Sequence, residues 1–269
     1  MHMIYRSSQL HAKDYISSLA ASGRYHFLSS DARKALGVSA DATKLALNRL
    51  ARQKMIAQPA RGFYVIVPPE YRALGCLPAD QFIPALMERL DQPYYAGLLS
   101  AAQYHGAAHH RPQEFQVLLE RARRPLSCGH VRAKFIVRNA LRQVPVQSFK
   151  TPRGLIHAST PEATAVDLVG YYGRVGGLNQ VATVLLELVE RIDPQKLLTA
   201  AQCAPIAWAQ RLGYLLDSAG AREPTGQLRT YVRAKARQTV PLLPGVVRKN
   251  AQRDGNWKIL VNVDIEPDL

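Results

Sequence analysis

Residues 29–67 read SSDARKALGVSADATKLALNRLARQKMIAQPARGFYVIV, and the fold turns on this stretch. Ser29 or Ser30 can cap a short helix through Leu36, because a serine hydroxyl accepts an unpaired backbone N–H of the first turn. Gly37 supplies a left-handed stop, and Val38-Ser39 make a turn of the length found between two crossing helices. Ser39 then caps a third helix over 40–54. At about 100° per residue, Thr43, Ala46, Leu47 and Leu50 face inward, while Asp41, Leu45, Asn48 and Arg52 face outward, flanked by Lys44 and Arg49. Met55–Gln58 and Phe63–Val67 read as two strands joined around Pro59-Ala60-Arg61-Gly62. A first helix over 9–22, with Leu10, Tyr15, Ile16 and Leu19 on one face, completes the set. Helix, helix, turn, helix and a hairpin tipped by Arg61 form a winged helix-turn-helix pattern. Its candidate DNA-binding residues are Ser39, Lys44, Asn48, Arg49, Arg52, Lys54 and Arg61. A charged outer helix face is by itself what solvation alone produces. Here it coincides with a basic wing and with strong local positive charge.

That charge is the informative part of the composition. The 269 residues are 47% hydrophobic and 20% charged, an ordinary globular mix, with 35 Lys and Arg against 20 Asp and Glu for a net charge of +15. Residues 1–68 hold ten Lys/Arg and three acids, residues 69–160 twelve and six, and residues 161–269 thirteen and eleven. The positive field therefore lies in the first 160 residues, where it attracts a polyanion. No segment pairs a basic face with a Trp/Phe/Leu face, which disfavours a membrane surface. No run of about 18 apolar residues spans a bilayer, and the opening MHMIYRSSQLHAKDY has no apolar signal core, so the expected compartment is the cytoplasm. Cys76, Cys128 and Cys203 form no CxxC pair and read as buried free thiols.

Two prolines after Val67 mark a boundary near 68–80, giving an expected DNA-binding domain over 1–75 and a second domain over 76–269. Helical patterns in the second part fall at 79–90, 97–106, 161–172, 178–191, 193–202, 206–220 and 226–237. Strand-like runs are Phe115–Leu119, Phe135–Arg138, Val144–Phe149, Leu155–Ala158 and Ile259–Val263. Pro152-Arg153-Gly154 is a turn that pairs the third and fourth of these runs. The expected class is α+β: an N-terminal winged helix-turn-helix followed by a larger mixed α/β domain.

Between Glu120 and Glu162 there is no acid, while Arg121, Arg123, Arg124, Arg132, Lys134, Arg138, Arg142, Lys150 and Arg153 are all present. Uncompensated cations repel unless a polyanion or solvent screens them, so Arg121, Arg123, Arg124, Arg132, Lys134, Arg138 and Arg142 are a candidate second basic surface, with a solvated face as the alternative. Catalytic signals are weaker. His105, His109 and His110 have helical metal-ligand spacing but lack the HExxH glutamate, and imidazoles at a helix C-terminus account for them as well. Glu162 and Asp167 could be paired carboxylates, yet Thr160-Pro161-Glu162 reads first as a cap, an N1 proline and a first-turn acid. No catalytic residue, metal or cofactor is expected.

The strings Arg61-Gly-Phe-Tyr-Val-Ile66 with Pro68-Pro-Glu-Tyr-Arg72, Tyr94-Tyr-Ala-Gly-Leu-Leu-Ser-Ala-Ala102 and His105-Gly-Ala107 resemble AbiEi-type antitoxins of bacterial abortive-infection systems. So do Thr160-Pro-Glu-Ala-Thr-Ala-Val-Asp-Leu168, Gly176-Gly-Leu178, Arg211-Leu-Gly-Tyr-Leu-Leu216 and the ending Trp257 to Leu269. The resemblance implies a regulator of a type IV toxin–antitoxin system. Such a protein represses its own operon by binding inverted repeats in the promoter and counteracts an adjacently encoded nucleotidyltransferase-fold toxin, with or without stable contact. Two rivals stand beside this reading. One is a metal-dependent nucleic-acid-processing enzyme. The other is a module that sequesters the toxin, for which the acidic ending Asp264-Ile-Glu266-Pro-Asp268 would be a docking segment.

Overall fold

The structure, a computed structural model, describes residues 10–107, 113–221, 223–247 and 249–267. In chain order the helices are α1 (Ala12–Ala21), α2 (Ser29–Leu36), α3 (Ala40–Arg52), α4 (Ile83–Arg89), α5 (Leu98–Tyr104), α6 (Pro161–Gly170), α7 (Leu178–Leu188), α8 (Pro194–Gln202), α9 (Ile206–Ser218) and α10 (Gly226–Lys235). The strands are β1 (His26–Leu28), β2 (Ile56–Ala60), β3 (Phe63–Ile66), β4 (Tyr94–Ala96), β5 (Phe115–Leu119), β6 (Leu126–Cys128), β7 (Val131–Val137), β8 (Val146–Thr151), β9 (Gly154–Ser159), β10 (Val240–Pro241), β11 (Gln252–Asp254) and β12 (Ile259–Val261). The chain is thus of mixed α+β class. It divides into two compact units. The first unit comprises Met1–Gln92, Arg123–Phe135 and Lys150–Ile156; the second comprises Pro93–Ala122, Ile136–Phe149 and His157–Leu269. Two stretches of the acid-free basic run therefore belong with the N-terminal residues.

In the first unit, β1, β3 and β2 form an antiparallel sheet in that order, with Leu28 opposite Phe63 and Ala60 opposite Phe63 on the other side. The register shifts between Ala57 and Ala60, as suits a strand containing Pro59, which has no N–H to give the ladder. The hairpin turns on Arg61-Gly62, and Gly62 sits at φ 70°, a region open to glycine. Tyr15, Ile16, Phe27, Ala32, Leu36, Leu47, Leu50, Ile56, Tyr64 and Ile66 make the core under the three helices. Phe27 is its centre, edge-on to Tyr15 and stacked on Tyr64, each with centroids 5.5 Å apart. The cap of α2 differs from the expectation. Leu28, not Ser29 or Ser30, occupies the N-cap position, and Asp31 Oδ2 accepts the Leu28 N–H at 3.3 Å. A carboxylate in the first turn replaces the hydroxyl because it also pairs with Arg24 at 3.3 Å. β6 and β7 pair antiparallel through Gly129, where a Cβ would lie 2.2 Å from the Leu74 carbonyl oxygen.

The second unit places β4 between β5, antiparallel, and β9, parallel, with Ala96 opposite Ala158. β8 and β9 are neighbouring strands joined across the expected Pro152–Gly154 turn. Helices α6 to α10 supply most of the unit's core, in which α6 is buried along almost its whole length. Thr160 caps α6 by accepting the Ala163 N–H at 3.3 Å, and Pro161 follows at the first helical position, where no N–H is needed. Close approach is built in by glycine: a Cβ on Gly213 would lie 2.1 Å from the Trp257 ring, and one on Gly170 would lie 2.3 Å from Trp208. Trp257 is further held by its indole N–H, which donates to Asp217 at 2.8 Å. A small sheet β10-β12-β11 closes the chain. No helix among the described residues is long and apolar enough to cross a membrane.

Candidate nucleic-acid interface

Helix α3 begins where Ser39 Oγ accepts the Ala42 N–H at 3.2 Å, and Gly37 ends α2 in the left-handed region at φ 64°. The Gly37-Val38-Ser39 turn fixes α3 against α2, and Thr43, Leu47 and Leu50 lock its inner face into the core. With that face spent, Asp41, Lys44, Leu45, Asn48, Arg49 and Arg52 all stand exposed. Leu45 is 60% exposed, an apolar side chain left in water at the middle of a polar face. No side-chain hydrogen bond or ion pair occupies Lys44, Asn48, Arg49 or Arg52 among the described residues, so their side-chain donors are free for an external partner. Lys54 lies beyond the helix, which ends at Arg52, and takes a left-handed φ of 55°. It belongs to the turn into β2 rather than to the helix face.

Arg61 is exposed at the hairpin tip, its carbonyl accepting from Arg89 Nη1 at 3.0 Å. Beside it the structure brings together what the sequence keeps apart. Pro59, Ala60 and Arg61 line one open cleft of about 350 Å³ with Arg123, Arg124, Pro125 and Leu126, all within the first unit. Arg124 is exposed, while Arg123 is half-buried with its guanidinium 5.4 Å from the Phe135 ring centroid. Burial, and then the charge of Arg89, lower the Arg123 pKa from its ordinary value.

The other members of the proposed second surface separate. Arg132 is exposed and Lys134 half-buried in the first unit. Arg121 and Arg142 are exposed in the second, and Arg142 is paired with Glu120 at 2.9 Å. Arg138 is a correction, because its side chain is only 3% exposed and cannot belong to any surface. Its Nε donates to Asp167 at 2.9 Å, while Nη1 and Nη2 donate to the carbonyls of Asn139 and Cys203 at 2.7 and 2.9 Å. Asp167 also accepts from the Tyr95 hydroxyl at 2.6 Å. Burial pushes the Asp167 carboxyl up, and Arg138 and Tyr95 hold it down against that push. The arrangement satisfies buried charge inside the second unit and offers no open side. The sequence signal for it was Asp167 itself, one carboxylate in the otherwise apolar run Ala163–Val169.

The remaining candidates are structural. Glu162 is buried, and its Oε1 accepts the Asp193 N–H at 3.1 Å, tying α6 to the start of α8. His105 is buried between the Ser159 carbonyl at 2.8 Å and the Gln147 amide at 3.4 Å, and burial lowers its pKa. His109, His110 and Asp268 lie outside the described residues; among those described, no three His, Cys, Asp or Glu side chains are grouped to hold a metal ion. Of the three cysteines only Cys76 is fully buried; the neighbouring Cys128 thiol and burial raise its pKa, a proximity of two distant thiols that spacing could not reveal.

Residues 95–218 match the family model of the AbiEi antitoxin C-terminal domain. Among solved structures, the crystal structure of the RV2827C protein from Mycobacterium tuberculosis matches with a TM-score of 0.65 at 19% identity, over 92% of this chain and 90% of that one. At that identity the likeness is one of fold. No curated protein sequence matches the chain.

Proposed function

From the AbiEi antitoxin domain type of residues 95–218, we propose that the chain is a sequence-specific DNA-binding autorepressor and the antitoxin of a nucleotidyltransferase-fold toxin. The N-terminal part, about residues 1–75, is on this reading a winged helix-turn-helix, and residues 76–269 form the antitoxin part, acting in the cytoplasm. One observation carries the DNA-binding half of the proposal. Ser39-capped α3 buries Thr43, Leu47 and Leu50 and leaves Lys44, Asn48, Arg49 and Arg52 unpaired on the opposite face, beside a hairpin tipped by Arg61. An asparagine amide can bond adenine at two points, and an exposed Leu45 suits a thymine methyl, so α3 in the major groove has both polar and apolar means of base readout. Lys44, Arg49, Arg52 and Arg61 then neutralise phosphates. The operator is an inverted repeat in the chain's own promoter.

The four phosphate contacts of α3 and the hairpin contribute about −3.6 to the slope of log affinity against log salt, since each contributes about −0.9 on duplex DNA. Fluorescence anisotropy with the upstream duplex, measured across a potassium chloride series, reads this slope. Arg52→Ala should lower its magnitude by about 0.9. An unchanged slope and affinity in that variant would remove this face of α3 from the interface.

A further inference from the structure

We propose that the cleft between the β2–β3 hairpin and residues 123–126 is a phosphate site for duplex DNA, making the wing a composite of two distant parts of the chain. The proposal rests on the DNA-binding reading above and extends it from α3 and the hairpin to a segment sixty residues downstream. Three observations converge on it. The cleft is open, holds about 350 Å³, and is lined by Arg61, Arg123 and Arg124 with only Pro, Ala and Leu between them. Arg89 adds a fourth guanidinium, bonded at 3.0 Å to the Arg61 carbonyl. Among the described residues none of Arg61, Arg89, Arg123 and Arg124 is in an ion pair with a carboxylate.

Arginines gathered without counter-charge repel one another. Arg123 is stacked over Phe135, and Arg89 is tied to the hairpin and lies 6.0 Å over the Phe63 ring. Arg123 is half-buried, so its stacked position is held, whereas Arg89 is exposed. An anion with several acceptor oxygens in the cleft would offset the repulsion, and the planar guanidinium matches phosphate at two points. A carboxylate fits less well, because one planar group cannot meet donors arriving from both the hairpin and the 123–126 segment. The source assigned here is the DNA backbone, since Arg61 lies at the tip of the hairpin that flanks α3. A free nucleotide offers the same chemistry, and the experiment separates the two.

The test uses the full chain and the upstream duplex. Arg123→Gln/Arg124→Gln should flatten the salt slope by about 1.8, so that between 50 and 200 mM salt the wild type loses roughly twelvefold more affinity than the variant. The loss should be the same on upstream and random duplexes, because a backbone contact carries no base information. Arg123→Lys/Arg124→Lys should keep the slope, and Arg124→Gln alone, at an exposed position, should lower it by about 0.9 without any change in unfolding midpoint. A steep wild-type slope that both Gln variants leave intact overturns the composite wing while leaving the α3 reading in place. Absence of DNA binding by the wild type overturns both. ATP affinity that falls in the double variant while the DNA slope stays intact assigns the cleft to a free nucleotide and overturns the DNA assignment.

Discussion

Arg138→Met puts the physics of the second unit to a quantitative test. The methionine keeps length and apolar contact but removes the cation paired with Asp167, a carboxylate with 0% exposure. It also takes donors from the carbonyls of Asn139 and Cys203 and leaves Tyr95 as the remaining side-chain partner of Asp167. Removing one member of a buried pair costs about 3–5 kcal/mol, because the other charge stays desolvated and unpaired. That is a large share of a domain stability of about 5–15 kcal/mol. Urea unfolding followed by circular dichroism should show the loss at neutral pH. Removing both charges, with Arg138→Met/Asp167→Leu, should recover at least about 2 kcal/mol, since no orphaned charge then remains. The pH dependence has a definite sign. Burial pushes the Asp167 carboxyl up, and in the variant Arg138 no longer opposes that push. A folded-state carboxyl raised above its unfolded value destabilises at high pH, so the variant's deficit is full above the raised value, shrinks as pH falls through it and is gone below the unfolded value. The salt slope of DNA binding should not move. A loss under about 1 kcal/mol, or a flattened slope, would refute the assignment of Arg138 to the interior.

Gly213→Ala places a methyl 2.1 Å from the Trp257 ring; overpacking should outweigh the roughly 1 kcal/mol helix gain of alanine and leave a net loss of about 2 kcal/mol, with a changed near-ultraviolet tryptophan signal. Ser39→Ala removes the 3.2 Å cap bond of α3 and should cost about 1 kcal/mol, read as a lowered urea midpoint for the first unit. His105 has its pKa lowered by burial, so the unfolded chain takes up its proton first. Stability from the neutral ring is full above the ordinary value of 6.5 and is lost as pH falls below it, and His105→Gln should flatten that part of the stability–pH profile.

Local chemistry was legible in the sequence and long-range packing was not. Gly37, Ser39, Thr160-Pro161 and the inward positions Thr43, Leu47 and Leu50 sit where capping rules and helical period place them. Strands β1, β4 and β6, three residues each, are too short to show a period and exist because neighbouring strands complete them. Ser29 and Ser30 competed for a cap that Asp31 supplies, since Arg24, five residues upstream of Ser29, favours a carboxylate there. Arg138 read as surface because it falls in a run of nine cations without an acid, whereas its partner Asp167 arrives from a helix 29 residues on. The Arg61–Arg123–Arg124 cleft was hidden for the same reason: the run that looked like a separate basic surface is divided between the two units, and only 123–135 and 150–156 join the hairpin's unit.

The central claim is that α3 discriminates among base edges while cations around it hold phosphates. Its most direct measurement is the affinity of the purified full chain for the duplex upstream of its own reading frame against a random duplex of equal length, at physiological ionic strength. A preference of about a thousandfold or more is expected, with an Asn48→Ala variant losing part of it. Equal affinity for the two duplexes would contradict the claim.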